Sequence, residues 1–341
     1  MRKALRNIVQ AAVAVPASLL SLEQWIDRTG HPLLLPFYHT IYDGVPQPHI
    51  EHLYPLRPLH TFEADLDWLL RHFQALDWPG LELHLQGEPL KKPSFFLSFD
   101  DGLRQVADVI APILLKKGVP AAFFLNAAFV DNRDLFFRYK ASLLIAHWQQ
   151  HPPEKVLYRS LSTVLDQYQI PAGNLPGRIL AVDYHRKEVL DELAILWGLD
   201  FSGFLKNYRP YLSNDQVFDL LKQGFYIGAH SVDHPLYARL SLEEQLRQTR
   251  ESLDFVQNEF QLPYRLFAFP FTDDGVPANY FKDHRDTLKV NASFGCAGIQ
   301  HSPFDRHLQR LPMENSPQPA AEWVQNAYAY AWLRSKALGK P

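Results

Sequence analysis

Ser94-Phe95-Phe96-Leu97-Ser98-Phe99-Asp100-Asp101-Gly102 joins an apolar run directly to two adjacent carboxylates and a glycine. A run that is continuous rather than alternating predicts a strand covered on both faces, as in a parallel sheet. A buried charge costs several kcal/mol unless something compensates it, so an acidic pair directly after such a strand calls for a partner. Neighbouring side chains on a regular strand point to opposite faces, but Gly102 can bend the chain so that both carboxylates reach one cavity. The C-terminal ends of parallel strands are where α/β folds keep their active sites. The competing reading is a helix cap before Leu103. One aspartate suffices for a cap, which leaves the second to be explained.

Working outward, similar runs at Pro32 to Tyr38, Ala121 to Leu125, Phe225 to Ala229 and Leu266 to Phe271 predict further buried strands. Between them, Phe62 to Leu76, Arg104 to Lys117 and Leu242 to Phe260 carry the helical period, the last with Ser241 and Glu244 placed as a capping box. Strand and helix in alternation predict an α/β protein with parallel strands. Between about Phe136 and Asp215 the rhythm stops. Helical patterns at Tyr139 to Gln149, Val156 to Gln169 and Tyr184 to Trp197 predict a helical insertion, expected beside the mouth of the site. The expected organisation is an N-terminal helical segment over 1–30, an α/β domain over 31–325 with its insertion at 136–215, and a C-terminal tail over 326–341.

A chain of 341 residues, 47% hydrophobic and 21% charged, can bury a substantial core and has no disordered signature. A net charge of -3, without a basic run, argues against nucleic acid as a partner. The single cysteine, Cys296, rules out an internal disulfide and is expected as a small buried apolar residue. Met1 to Arg6 is basic and Ile8 to Leu22 mostly apolar, but Gln10 and Pro16 interrupt that run. Leu5, Ile8, Val9, Ala12 and Val13 recur at helical spacing, so an amphipathic helix packed on the domain or resting on a membrane surface explains the segment as well as an export signal does. The expectation is a cytoplasmic or membrane-peripheral protein, with secretion left open. No stretch reaches the ~20 apolar residues of a spanning helix.

A second constellation, Gly228-Ala229-His230-Ser231-Val232-Asp233-His234-Pro235, also follows an apolar strand. Histidines four apart face the same way if the backbone makes a helical turn, a spacing common in metal pairs. Fifteen histidines make one such pair by chance unremarkable, but its position at a strand end matches that of the aspartates. One carboxylate with two imidazoles gives three ligands and leaves a position for water, the pattern of a catalytic zinc site.

Ser98-Phe99-Asp100-Asp101-Gly102 and His230-Ser231-x-x-His234 resemble the first two motifs of the NodB-type polysaccharide deacetylases, carbohydrate esterase family 4. Phe37-Tyr38-His39 resembles the early Tyr-His of one branch, Phe267 to Phe271 the third motif, and Arg310-Leu311-Pro312 a late Arg-containing strand. The resemblance spans roughly Leu33 to Met313 outside the insertion and implies a distorted (β/α) barrel of about seven strands. It implies Asp101, His230 and His234 as ligands of a divalent metal, zinc foremost, with cobalt, nickel or iron as alternatives. It implies Asp100 as the general base acting on a metal-bound water, and the backbone N–H of Phe271 as an oxyanion donor. No late Leu-x-His motif is present to supply an acid for the departing amine; the resemblance to the branch with an early Tyr-His implies His39 in that role, with His301 and His307 as rivals.

Three departures follow. Ala268 stands where the third motif often has an Arg that pairs with the catalytic Asp, and Arg310 is expected to substitute, ahead of Arg265. The Asp-Trp motif is missing. Asp273 and Asp274 read as a turn, with a second cation as the alternative. The implied activity is removal of N-acetyl groups from an amino sugar of a polysaccharide or glycolipid. An O-acetyl esterase, a hydrolase of non-sugar amides and an inactive glycan-binding barrel are the alternatives.

Overall fold

The computed structural model describes residues 20–314 and 316–337. Eight strand segments form its main sheet, all paired in parallel: Pro36–Tyr38, Leu97–Phe99, Ala121–Leu125, Tyr226–Ala229, Leu266–Ala268, Ala292–Gly295, His307–Gln309 and Leu311–Pro312. The first seven lie side by side in chain order, and the eighth pairs back onto the first. Only Arg310 separates the seventh from the eighth. Its N–H reaches the Gly295 carbonyl at 3.2 Å, whereas that of Leu311 reaches Leu35 at 2.8 Å. One physical strand therefore changes neighbours at Arg310 and nearly closes the sheet into the expected distorted (β/α) barrel.

The apolar runs account for this sheet because their side chains are buried on both faces. Phe99, Phe123, Ile227 and Phe267 enter one hydrophobic core, while Phe96, Phe124, Leu266 and Phe294 form another. Several expected boundaries move. The run Pro32 to Tyr38 breaks at Leu35, and Ser94 to Phe99 breaks at Phe96, so that Leu33–Leu34 and Ser94–Phe95 pair in a separate small sheet with Gln74–Ala75. Leu266 to Phe271 stops at Ala268, because Pro270 has no N–H to offer a ladder and Phe271 takes φ 58°. The helix expected over Arg104 to Lys117 opens with a wider turn at Val106–Ile110 before Ala111–Lys117. The helix Leu242–Phe260 keeps its expected limits, capped by Ser241 Oγ accepting from the Glu244 N–H.

Between Leu125 and Tyr226 the chain forms the helices Phe137–Gln150, Lys155–Gln167, Leu175–Leu180, Val189–Trp197, Phe201–Tyr208 and Asn214–Lys222. Leu144, Leu161, Leu165, Leu190 and Leu193 give most of this region a hydrophobic core of its own. Its first helix reaches the barrel mouth through Phe136 and Tyr139.

The expected tail over 326–341 is described up to residue 337. Residues 326–337 continue the helix Ala320–Ala337, which packs on the helix Leu22–Thr29. Trp323, Val324, Tyr328 and Ala331 bury one face of it, a helical spacing that the sequence reading passed over. Asp65 anchors its start, accepting from the Ala320 N–H at 3.0 Å and pairing with Arg57. Most of the expected N-terminal segment, residues 1–19, lies outside the described residues. Among the described residues no helix is long and apolar enough to cross a membrane.

Candidate active site

The C-terminal ends of the strands converge on a cavity of about 420 Å³. Asp100 and Asp101 follow Leu97–Phe99, His39 follows Pro36–Tyr38, and His230 follows Tyr226–Ala229. The bend expected at Gly102 begins one residue earlier, with Asp101 at φ 70° and Gly102 at φ 61°. A side chain at Gly102 would be strained by that φ and would come within 3.0 Å of Leu125. Two successive left-handed residues turn both carboxylates toward the cavity.

The histidine pair does not use the helical turn that would let residues four apart face the same way. Ser231 and His234 take φ 68° and 63°, and the Ser231 hydroxyl accepts from the His234 N–H at 3.0 Å. This side-chain turn brings the two rings to 4.8 Å between centroids. Asn126 donates to the His230 carbonyl, and Asp233 accepts from Lys187 at 2.6 Å, Gln248 at 2.8 Å and Tyr184 at 2.9 Å. Gly228 is needed behind the loop, since a Cβ there would come within 2.5 Å of the Phe124 ring.

Asp101, His230 and His234 each present one ligand atom, all within 4.8 Å of one another. Asp101 Oδ1 lies 3.2 Å from His234 Nε2 and 3.5 Å from His230 Nε2. Asp101 Oδ1 and His230 Nε2 are buried without a hydrogen-bond partner. Such orphaned groups are rare in native interiors and call for a missing partner. The His230 Nδ1–H donates to the Ala268 carbonyl at 2.8 Å, which leaves the Nε2 lone pair facing Asp101. Burial outweighs the pull of Asp100 and pushes His230 down to about 4, so the ring is neutral at pH 7. Burial works against ionised Asp101 as well, but the His234 side chain and the other imidazoles hold its carboxyl well below the usual range. One ionised carboxylate and two imidazoles around orphaned atoms fit a divalent cation such as zinc.

Asp100 faces Arg310. The guanidinium donates to both carboxylate oxygens at 2.7 Å, to Ser98 Oγ at 3.1 Å and to the Gly295 carbonyl at 3.1 Å. It is fully buried and lies over the Phe37 ring, 4.2 Å from its centroid. Burial would raise Asp100, yet Arg310 prevails and keeps its carboxyl below the ordinary value. Arg265 pairs instead with Asp254 and does not reach the cavity.

His39 lies across the cavity, about a quarter exposed at 24%. Its Nδ1 is 2.7 Å from Glu314 Oε2, while Glu314 Oε1 accepts the N–H groups of His39 and Thr40 at 2.8 and 3.0 Å. Burial disfavours the charged ring, but Glu314 overcomes it and lifts His39 to about 9. The rivals lie elsewhere. His301 stacks on His31 at 3.9 Å, and His307 is held by Ser293 and Asp273. Asp273 is thereby occupied, accepting from His307 at 3.0 Å and Gln309 at 2.6 Å, in a turn closed by its carbonyl and the Val276 N–H.

Phe271 packs its ring on His234 at 4.6 Å, and its carbonyl accepts from Cys296 Sγ at 2.9 Å. Cys296 is thus a cavity-wall residue rather than a core one, its thiol pushed up to about 11 by burial. Two residues of the site carry no motif in the sequence. Glu314 stands two positions after Pro312, where its spacing from Arg310 was the only available signal. Tyr139 donates to Asp101 Oδ2 at 2.7 Å from the first helix of the insertion, and no local pattern reveals such a contact.

The family description "Polysaccharide deacetylase" matches residues 87–289, more than half of the chain. Solved structures of similar fold include the deacetylase PplD of Streptococcus pyogenes in complex with acetate, at 14% identity over 85% of this chain and 95% of that one, with a TM-score of 0.54. IcaB from Ammonifex degensii gives 16% identity, 87% and 97% coverage and a TM-score of 0.54. A de-N-acetylase from Aggregatibacter actinomycetemcomitans gives 16%, 86% and 99%, with a TM-score of 0.52. A comparison with curated proteins finds no match. At these identities the structural likenesses show the fold, a NodB-type barrel. The chain belongs to the polysaccharide deacetylase family.

Proposed function

We propose that this protein is a metal-dependent hydrolase that removes N-acetyl groups from an amino sugar of a polysaccharide or glycolipid. The observation that carries the reading is the convergence of Asp101, His230 and His234 beside the cavity lined by Asp100, His39 and Glu314. Asp101, His230 and His234 would hold the cation. A divalent cation bound there supplies Lewis-acid polarisation of the acetyl carbonyl and acidifies a water.

The chain's own groups supply the rest. Asp100, ionised and fixed by Arg310, accepts the proton of the attacking water. Both of its oxygens keep a second lone pair free for that proton. Phe271 lines the cavity, and its backbone N–H would stabilise the developing oxyanion. His39, charged at neutral pH through Glu314, gives its proton to the departing nitrogen, which cannot leave as an anion. Glu314 keeps the proton on a ring that burial alone would strip.

The test is acetate release from N-acetylated oligosaccharides by the zinc-loaded protein, its chelated form and Asp100→Asn. Release by the wild type, abolished by chelation and reduced by roughly 100-fold or more in Asp100→Asn, is expected. Equal rates for all three would overturn the reading.

A further inference from the structure

Every carboxylate in the cavity is already engaged: Asp100 with Arg310, Glu314 with His39, and Asp101 with Tyr139 through Oδ2, its Oδ1 being turned to the two imidazoles of the candidate cation site. Arg138 also lines this cavity, next to Tyr139 on the helix Phe137–Gln150. Its side chain is partly buried, and among the described residues its one hydrogen bond goes to the Leu180 carbonyl, within the insertion. Among the described residues no carboxylate pairs with it. Burial alone acts on its charge, and it pulls the guanidinium below its ordinary value.

A partly desolvated cation is costly unless an anion or several acceptors compensate it. A guanidinium carries five N–H donors in a planar fork suited to carboxylate and phosphate, and one carbonyl satisfies few of them. The nearest basic residue on the same helix, Lys140, is no rival for this role, because it pairs with Asp191 at 2.8 Å. A purely local tie between Arg138 and Leu180 would leave the other donors of this cavity-lining residue without a role.

We propose that Arg138 forms an anion subsite of the catalytic cavity, which takes a carboxylate or phosphate carried by the substrate close to its acetamido group. The inference rests on the deacetylase reading of the cavity and narrows its substrate class to acidic glycans or phosphorylated amino sugars. It also gives the insertion a function, since the barrel supplies the reacting groups and the insertion supplies the selecting charge.

The experiment compares kcat/KM for three N-acetylated substrates: a neutral chitooligosaccharide, one with an adjacent uronic acid, and an N-acetylhexosamine phosphate. Wild type, Arg138→Gln and Arg138→Lys are measured, with melting temperatures to verify folding. The wild type is expected to prefer at least one acidic substrate, and the preferred one distinguishes carboxylate from phosphate. In Arg138→Gln that preference falls roughly 10- to 100-fold, mostly through KM, and Arg138→Lys restores part of it. A merely structural Arg138 would slow neutral and acidic substrates alike, and that result would overturn the proposal. If the wild type releases acetate from none of the three, the deacetylase reading fails separately. Calorimetric binding of the same compounds then decides, with equal affinity of wild type and Arg138→Gln for the acidic ones refuting the subsite.

Discussion

Glu314→Gln isolates a charge without changing a shape. The amide carbonyl can still accept the His39 and Thr40 N–H groups that Glu314 Oε1 holds at 2.8 and 3.0 Å. Its NH2 then faces His39 Nδ1, where Oε2 now sits at 2.7 Å. The lift of His39 from 6.5 to about 9 corresponds to about 3 kcal/mol in favour of the charged ring. Without Glu314, burial acts in the opposite direction and only Asp101 and Asp100 still favour the charged ring, so His39 falls back toward its ordinary 6.5. At pH 7.5 the protonated fraction then drops from nearly all of the molecules to about one in ten. The expected result is a roughly tenfold or greater loss of kcat at pH 7.5, with the alkaline limb of the pH profile moved down by about two pH units. Acetate release across pH 5.5 to 10, at one fixed zinc loading, reads this directly, and equal loading cancels the field of the cation in the comparison. An unchanged limb in Glu314→Gln would refute both the role of Glu314 and that of His39 as the acid. The same pair contributes to stability below pH 6.5 and loses that contribution as pH rises through about 9, because the folded state binds the proton more tightly.

Two further outcomes probe the buried groups. Arg310→Met leaves Asp100 charged and unpaired in the barrel and should cost about 3 to 5 kcal/mol in urea unfolding, while adding Asp100→Leu should recover part of that loss; additive losses would mean the two groups are not coupled. Tyr139→Phe removes the hydroxyl that donates to Asp101 Oδ2. Zinc affinity, read by chelator competition, should weaken roughly 10- to 100-fold, and unchanged affinity would show that Tyr139 does not orient the ligand.

The residues themselves determined the alternation of buried strands and helices, because a strand covered on both faces must be apolar throughout and a core-facing helix must repeat its apolar positions. They also determined which side chains stand at the strand ends: Asp100 and Asp101 after one strand, His230 and His234 after another. Chemistry carried on a few consecutive residues is legible in order and type. The boundaries were less so. The breaks at Leu35 and Phe96 depend on which neighbour each half-strand meets, and the helix Ala320–Ala337 gains its buried face from the helices Leu22–Thr29 and Leu59–His72 that it docks on.

The tertiary structure decided what no local pattern carries. The turn that joins His230 to His234 depends on the Ser231 hydroxyl and two left-handed residues rather than on helical spacing. His39 meets Glu314 across 275 positions, and Asp100 meets Arg310 across 210, because the late strand crosses from one edge of the sheet to the other at Arg310 and brings both partners beside the first strand. Tyr139 and Arg138 reach the cavity only because the insertion folds on its own core and lays its first helix over the barrel mouth. The sequence thus determined which groups could act. Closure of the barrel decided which of them share a cavity, since long-range pairing follows from packing of the whole chain and leaves no mark on neighbouring residues.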